Sequence, residues 1–144
     1  MFEVRKDVLK KFSKEINKAI ETYRLCLFTL PEEKLPRITP SYSLVPPSNT
    51  NTPYSSTEDI AIERADFEKE KSEFIKSFLK AVNRLGEKER QGFILRYLSE
   101  DEMFDYEVYN ELNMSEWYYH QKFKPLVLYK FGIALGIIDV RAIS

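Results

Sequence analysis

Six of the chain's seven prolines fall between residues 31 and 53, and they decide how the sequence can be divided. Proline has no amide proton and fixes φ. Pro31, Pro36, Pro40, Pro46, Pro47 and Pro53 therefore leave no room for a regular helix there. Serine, threonine and asparagine fill the intervals, with Tyr42 and Tyr54 among them. Before this stretch, residues 6 to 28 place Leu9, Phe12, Ile16, Ala19 or Ile20, Tyr23 and Leu27 at steps of three and four, the spacing of an amphipathic helix. The chain reads as an N-terminal helix (1–29), a proline-rich arm or linker (30–56) and a helical domain (57–144). A long structureless connection is unusual inside one domain, so residues 1–28 are expected to hang from the rest rather than share its core.

Downstream, Ser55 and Glu58 have capping-box spacing, and acids follow in the first turn. The helix they open is expected to run to Leu85, with Ile60, Phe67, Phe74, Phe78, Val82 and Leu85 on one stripe and Gly86 ending it. Its first half is heavily charged and is expected to project into solvent or pair with another helix. A helix from Glu87 to about Leu98 presents Phe93, Ile94, Tyr97 and Leu98, and Ser99-Glu100-Asp101-Glu102 breaks it. Asp105 can cap the next helix, Tyr106 to Leu112, and Ser115 the last one. The fold class is all-α, a helical bundle with an N-terminal helix on a proline-rich arm.

Several function classes are excluded by what is missing. Nucleophilic catalysis would need Cys26 or a serine near a histidine, and His120 is the chain's one histidine. No glycine-rich phosphate loop occurs, and the acids at 99–102 lack the glycine and spacing of a metal loop. No enzyme activity, metal or cofactor is expected. Cys26 lies in the apolar run Leu25-Cys26-Leu27-Phe28 and reads as a buried, inert thiol. The N-terminus lacks the features of a signal peptide, and no apolar run approaches a bilayer span, so a reducing cytoplasm is expected, with no membrane partner.

The net charge of −1 gives no global positive field, so any nucleic-acid contact must come from a local surface. The outer face of the first helix is one basic region: Arg5, Lys6, Lys10, Lys11, Lys14, Lys18 and Arg24 outnumber Glu3, Asp7, Glu15 and Glu21. It reads either as a solvated face or as an accessory phosphate-contacting surface.

Residues 105–124 carry the functional expectation. A short helix ends at Leu112, Asn113 tolerates left-handed φ, Met114 is apolar, and Ser115 caps a second helix. That is the layout of a helix-turn-helix, whose tight turn lets the first helix brace the second. If the second helix starts at Ser115, then Tyr119, Phe123, Leu126 and Val127 share an inner face. The opposite face carries Trp117, Gln121 and Lys124 with Tyr118 beside them, candidates for DNA base contacts. Ser115, His120 and Lys122, with Arg96 from the preceding helix, are candidates for contacts to the DNA backbone. Trp117 has two readings, a binding surface or packing under the N-terminal segment.

Taken with Ser55-Ser56-Thr57-Glu58-Asp59, Leu85-Gly86-Glu87-Lys88-Glu89-Arg90, Leu95-Arg96-Tyr97-Leu98 and Phe131 to Leu135, the motif resembles the ArpU/RinA-type regulators of phages and prophages of Gram-positive bacteria. Their C-terminal half looks like the DNA-binding region four of bacterial sigma factors. The resemblance runs from about residue 38 to the end. It implies a cytoplasmic, sequence-specific, DNA-binding transcriptional regulator of phage or prophage genes, controlling late genes or integration and excision, with double-stranded DNA as partner. The alternative is an adaptor that uses the same helical surface to bind RNA polymerase or a phage packaging component.

The chain departs from that family in two respects. Trp117 and His120 stand where relatives often carry arginine or lysine, and Pro125 falls inside the second helix. A kink is expected there, or a break with Leu126 opening a new segment. Residues 126–138 are then apolar nearly all round and must be covered on every side, by the N-terminal helix or by a second copy in a homo-oligomer.

Overall fold

The computed structural model describes residues 3–31, 34–45 and 58–143, without the side chains of 58–66 and 142. The fold is all-α with one small β-ribbon. Helix α1 spans Lys6–Phe28, strands β1 (Arg37–Ile38) and β2 (Leu44–Val45) follow, and α2 spans Glu58–Asn83. Then come α3 (Glu87–Phe93), extended by a π-helical turn over Ile94–Leu98, and α4 (Asp105–Glu111). The last helix is continuous in three parts: α5 (Glu116–Tyr118), a π-helical turn (Tyr119–Phe123) and α6 (Lys124–Leu135).

An aromatic stack ties four helices together. Tyr23 of α1 lies face to face with Phe78 of α2 at 4.0 Å. Phe78 meets Phe131 of α6 edge-on at 5.0 Å, and Phe131 meets Phe93 of α3 at 4.7 Å. Val8, Ile16, Ile20 and Tyr23 of α1 are buried, so the N-terminal helix does not hang from the rest but supplies one wall of the common core. It comes close to Gly132 of α6, where a Cβ would stand 3.0 Å from Ile16 Cδ1 and 2.8 Å from Ile138 Cδ1. The apolar helix is thus covered in part from within the chain: Val127, Tyr129, Phe131 and Gly132 are buried, whereas Leu126, Leu128, Ile133 and Leu135 are half-buried.

Residues 34–45 of the proline-rich region hold a small ribbon rather than a free arm. Arg37–Ile38 pairs antiparallel with Leu44–Val45 across a turn in which Tyr42 takes a left-handed φ of 57°. Leu44 is buried against α2, and Asn83 holds it by its backbone: Leu44 N–H donates to Asn83 Oδ1 and Asn83 Nδ2 donates to Leu44 O, both at 2.9 Å. Two-residue strands carry no alternating pattern long enough to read, which is why the sequence suggested none.

Helix α2 ends at Asn83, short of Leu85. Phe74, Phe78 and Val82 meet the expected stripe, Leu85 is buried just beyond it, Phe67 is exposed beneath the ammonium of Lys71, and the side chain of Ile60 lies outside the described residues. Gly86 does not end α2 in a left-handed cap. Its φ is −61°, and it is the N-cap of α3, its amide donating to Glu89 Oε1 at 2.8 Å. The expected Ser55–Glu58 box lies outside the described residues.

Candidate nucleic-acid interface

The turn between α4 and α5 is built by local chemistry. Asn113 adopts φ 56°, the left-handed conformation that asparagine tolerates better than most residues. With the chain reversed there, Met114 N–H donates to Tyr109 O at 2.8 Å and Asn113 N–H to Asn110 O at 3.2 Å. This bond pair closes a helix C-terminus and satisfies its last carbonyls. Met114 is half-buried against the core, and Ser115 Oγ accepts from Tyr118 N–H at 3.1 Å, capping the next helix. Asp105 is not the cap of α4. Phe104 occupies that position, and Glu107 reaches back to accept from its amide at 3.1 Å.

Asp105 instead joins three elements. Its carboxylate accepts from Tyr119 OH at 2.7 Å, from Lys124 Nζ at 2.9 and 3.1 Å, and from Arg96 Nε at 3.0 Å. The group is about a quarter exposed. Burial works against its charge, but the hydrogen bonds from Tyr119 and Lys124, reinforced by the two cations, hold the carboxyl down at about 2. The Tyr119 hydroxyl is pushed well above its ordinary value, by burial first and then by donating to that anion.

This cluster redistributes the expected contact residues. Trp117 is 64% exposed and Tyr118 48%, so Trp117 does not pack under the N-terminal segment. Gln121, Lys122, His120 and Ser115 are exposed as well. Lys124 and Arg96 are not on that outer face: their side chains are 27% and 26% exposed and their nitrogens are engaged by Asp105.

The cause lies in the π turn. In an α-helix, residues 117, 121 and 124 fall within a narrow sector, about 100° being added per residue. Here Lys124 N–H donates to Tyr119 O, a five-residue step, and the extra residue turns everything beyond it back by roughly one residue's rotation. Lys124 swings sideways onto Asp105. The same rotation keeps Tyr119, Phe123 and Val127 on one inner stripe, where all three are buried, with Leu126 half-buried beside them. Two steps of four residues would otherwise drift by about 80°. Pro125 occupies the second position of α6, directly after the wide turn. The helix therefore neither stops nor reopens at Leu126; it absorbs the missing amide where the hydrogen-bond register is already changing.

Two contacts near the site are not announced by local sequence, although Lys6 already belongs to the basic face of the first helix. Gly92 of α3 lies against the second helix so closely that a Cβ would stand 2.6 Å from Phe123 Cε1. Lys6 of α1 donates to Gln121 Oε1 at 3.4 Å, across 115 residues of chain. Four aromatic side chains, Phe104, Tyr106, Trp117 and Tyr118, are exposed on α4, its cap and α5, and the rings of Phe104 and Tyr106 are parallel at 5.9 Å. No group of three or more histidine, cysteine or acidic side chains that could hold a metal occurs among the described residues.

The chain is similar over nearly its whole length to an uncharacterized phage-related protein of Listeria innocua, at 27% identity over 138 residues covering 96% of each chain. No protein-family model and no solved structure matches it. Among the described residues, no helix is long and apolar enough to cross a membrane.

Proposed function

We propose that this chain is a DNA-binding transcriptional regulator of phage or prophage genes, of the ArpU/RinA type, acting in the bacterial cytoplasm on late-gene expression or on integration and excision. The observation that carries the reading is the outward display of Trp117, Tyr118 and Gln121 from a capped helix that a left-handed Asn113 turn sets against α4. Gln121 can present its amide to an adenine edge, and the two aromatic rings can meet a thymine methyl or the sugar-phosphate wall. Lys122, His120 and Ser115 flank this surface and suit backbone contacts. Lys124 and Arg96 serve it indirectly, fixing the angle of the helix through Asp105. The similarity to a phage-related protein of Listeria innocua supports the phage setting. No reaction, metal or cofactor is assigned.

The test is fluorescence anisotropy with duplexes selected from a random pool, at two salt concentrations. Salt-sensitive, sequence-selective binding by the full chain is expected. Gln121→Ala should relax the selectivity by about 1–3 kcal/mol while the melting curve stays put. An unselective or absent interaction overturns the proposal. The exposed Phe104, Tyr106, Trp117 and Tyr118 and the net charge of −1 favour one second reading, an adaptor binding RNA polymerase or a packaging component. Capture of purified polymerase by a chain that ignores DNA would select it.

A further inference from the structure

The proposed duplex-binding face is short of positive charge. Of the cations expected on it, Lys124 and Arg96 are held by Asp105, which leaves the exposed Lys122 and His120. Affinity for DNA comes mostly from neutralised phosphates, so a face of this kind needs cations from elsewhere in the fold.

The first turns of α1 stand in the right place to supply them. Lys6 Nζ reaches Gln121 Oε1 at 3.4 Å, so the start of α1 borders the outer surface of the second helix of the motif. Steps of four along α1 lead from Lys6 to Lys10 and Lys14, all exposed and all on one side of the helix. Each step advances roughly 6 Å. Two phosphates of one DNA strand advance roughly 6.8 Å along the duplex axis. Asp7, the acid within this stretch, is already held by Arg5 at 3.0 Å, and neither Lys10 nor Lys14 has an ion-pair partner among the described residues. Packing of α1 on α2 and α6 through Tyr23 and Ile16 fixes the row against the rest of the fold.

We infer that Lys6, Lys10 and Lys14 form a second row of phosphate contacts, gripping the sugar-phosphate backbone of the same duplex beside the groove that Trp117 and Gln121 enter. The inference rests on the duplex-binding reading of that face. Its role is sequence-independent: the row adds affinity and fixes orientation, while selectivity stays with Gln121.

Salt titration of binding by the full chain tests it, using one selected duplex and one scrambled duplex. Replacing both outer lysines, Lys10→Gln with Lys14→Gln, is expected to weaken binding to the two duplexes by the same factor. It should also reduce the slope of log K against log salt by about 1.8, two contacts at about 0.9 each. The charge-keeping pair Lys10→Arg with Lys14→Arg should retain the wild-type slope, separating charge from any effect on α1 itself. An unchanged slope in the glutamine variant, with Gln121→Ala still relaxing selectivity, overturns the second row and leaves the proposed function standing. Absence of salt-dependent binding by the wild-type chain overturns both.

Discussion

Replacing Asp105 by asparagine probes the device that orients the second helix. The carboxylate accepts from Tyr119, Lys124 and Arg96 at 2.7 to 3.1 Å, and these contacts hold its proton affinity down at about 2 against an ordinary 3.8. At about 1.4 kcal/mol for each tenfold change in proton affinity, the network contributes about 2 kcal/mol to folding at neutral pH. The sign follows from the folded value lying below the unfolded one. The unfolded chain binds the proton more readily, so the contribution is complete above about pH 4 and lost as the pH falls towards 2. Asp105→Asn keeps the shape, removes the charge and leaves two cations facing a neutral amide. Urea unfolding at pH 7 should show a loss of about 2 kcal/mol, or roughly 6 °C in Tm for a chain of this size. Between pH 4 and 2 the two proteins should converge, because protonation of the wild type does what the substitution has already done. Parallel curves across that window, or a variant within about 0.5 kcal/mol of wild type at pH 7, would refute the assignment of Asp105 as the link among α3, α4 and the last helix.

Three further outcomes can be checked with the same preparations. Gly92→Ala places a methyl 2.6 Å from Phe123 Cε1 and should cost about 1–3 kcal/mol by urea unfolding, despite alanine's higher helix propensity. Ser115→Ala removes the oxygen that accepts from Tyr118 N–H and should cost about 1 kcal/mol by the same measurement. The hydroxyls of Tyr23, Tyr97 and Tyr119 are raised by burial, Tyr97 to about 12. An absorbance titration at alkaline pH should therefore show three tyrosines that do not ionise until the chain unfolds. Their contribution to stability is complete below pH 10, the ordinary value, and is lost as the pH rises above it.

What could be read from the sequence was what neighbouring residues determine among themselves. Asn113, Met114 and Ser115 build their turn from their own backbone and side-chain bonds, so the break between α4 and α5 and the inward set Tyr119, Phe123 and Val127 were legible. The same holds for α1 and for most of the stripe on α2. The unreadable parts depend on partners far along the chain. Asp105 looked like a cap because its position before a helix is the usual place for one. Its actual partners lie 9, 14 and 19 residues away. The docking of α1 turns on the close approach of Ile16 to Gly132, which no periodicity announces. Proline content could not reveal that Asn83 pins Leu44 to the bundle.

The wide turn at Tyr119–Phe123 explains why the outward face was legible only as far as Gln121. A helix that must bury one stripe for five turns and display another at its start cannot do both at a constant 3.6 residues per turn without drift. Inserting one residue corrects the buried stripe, bringing Val127 under Phe123 and Tyr119, and displaces the outward stripe by the same angle. Lys124, outward by sequence arithmetic, becomes the ammonium that anchors Asp105. The outward surface is thereby shortened to residues before Lys124 and loses a cation to Asp105. Lys6 of α1, within 3.4 Å of Gln121, brings one positive charge to that edge from an element the motif itself does not contain. On the proposed duplex-binding reading, the docking of α1 and the geometry of the α4–α5 turn are for that reason one problem: in a chain with a net charge of −1, phosphates would be attracted to this face only where the fold gathers lysines from outside the motif.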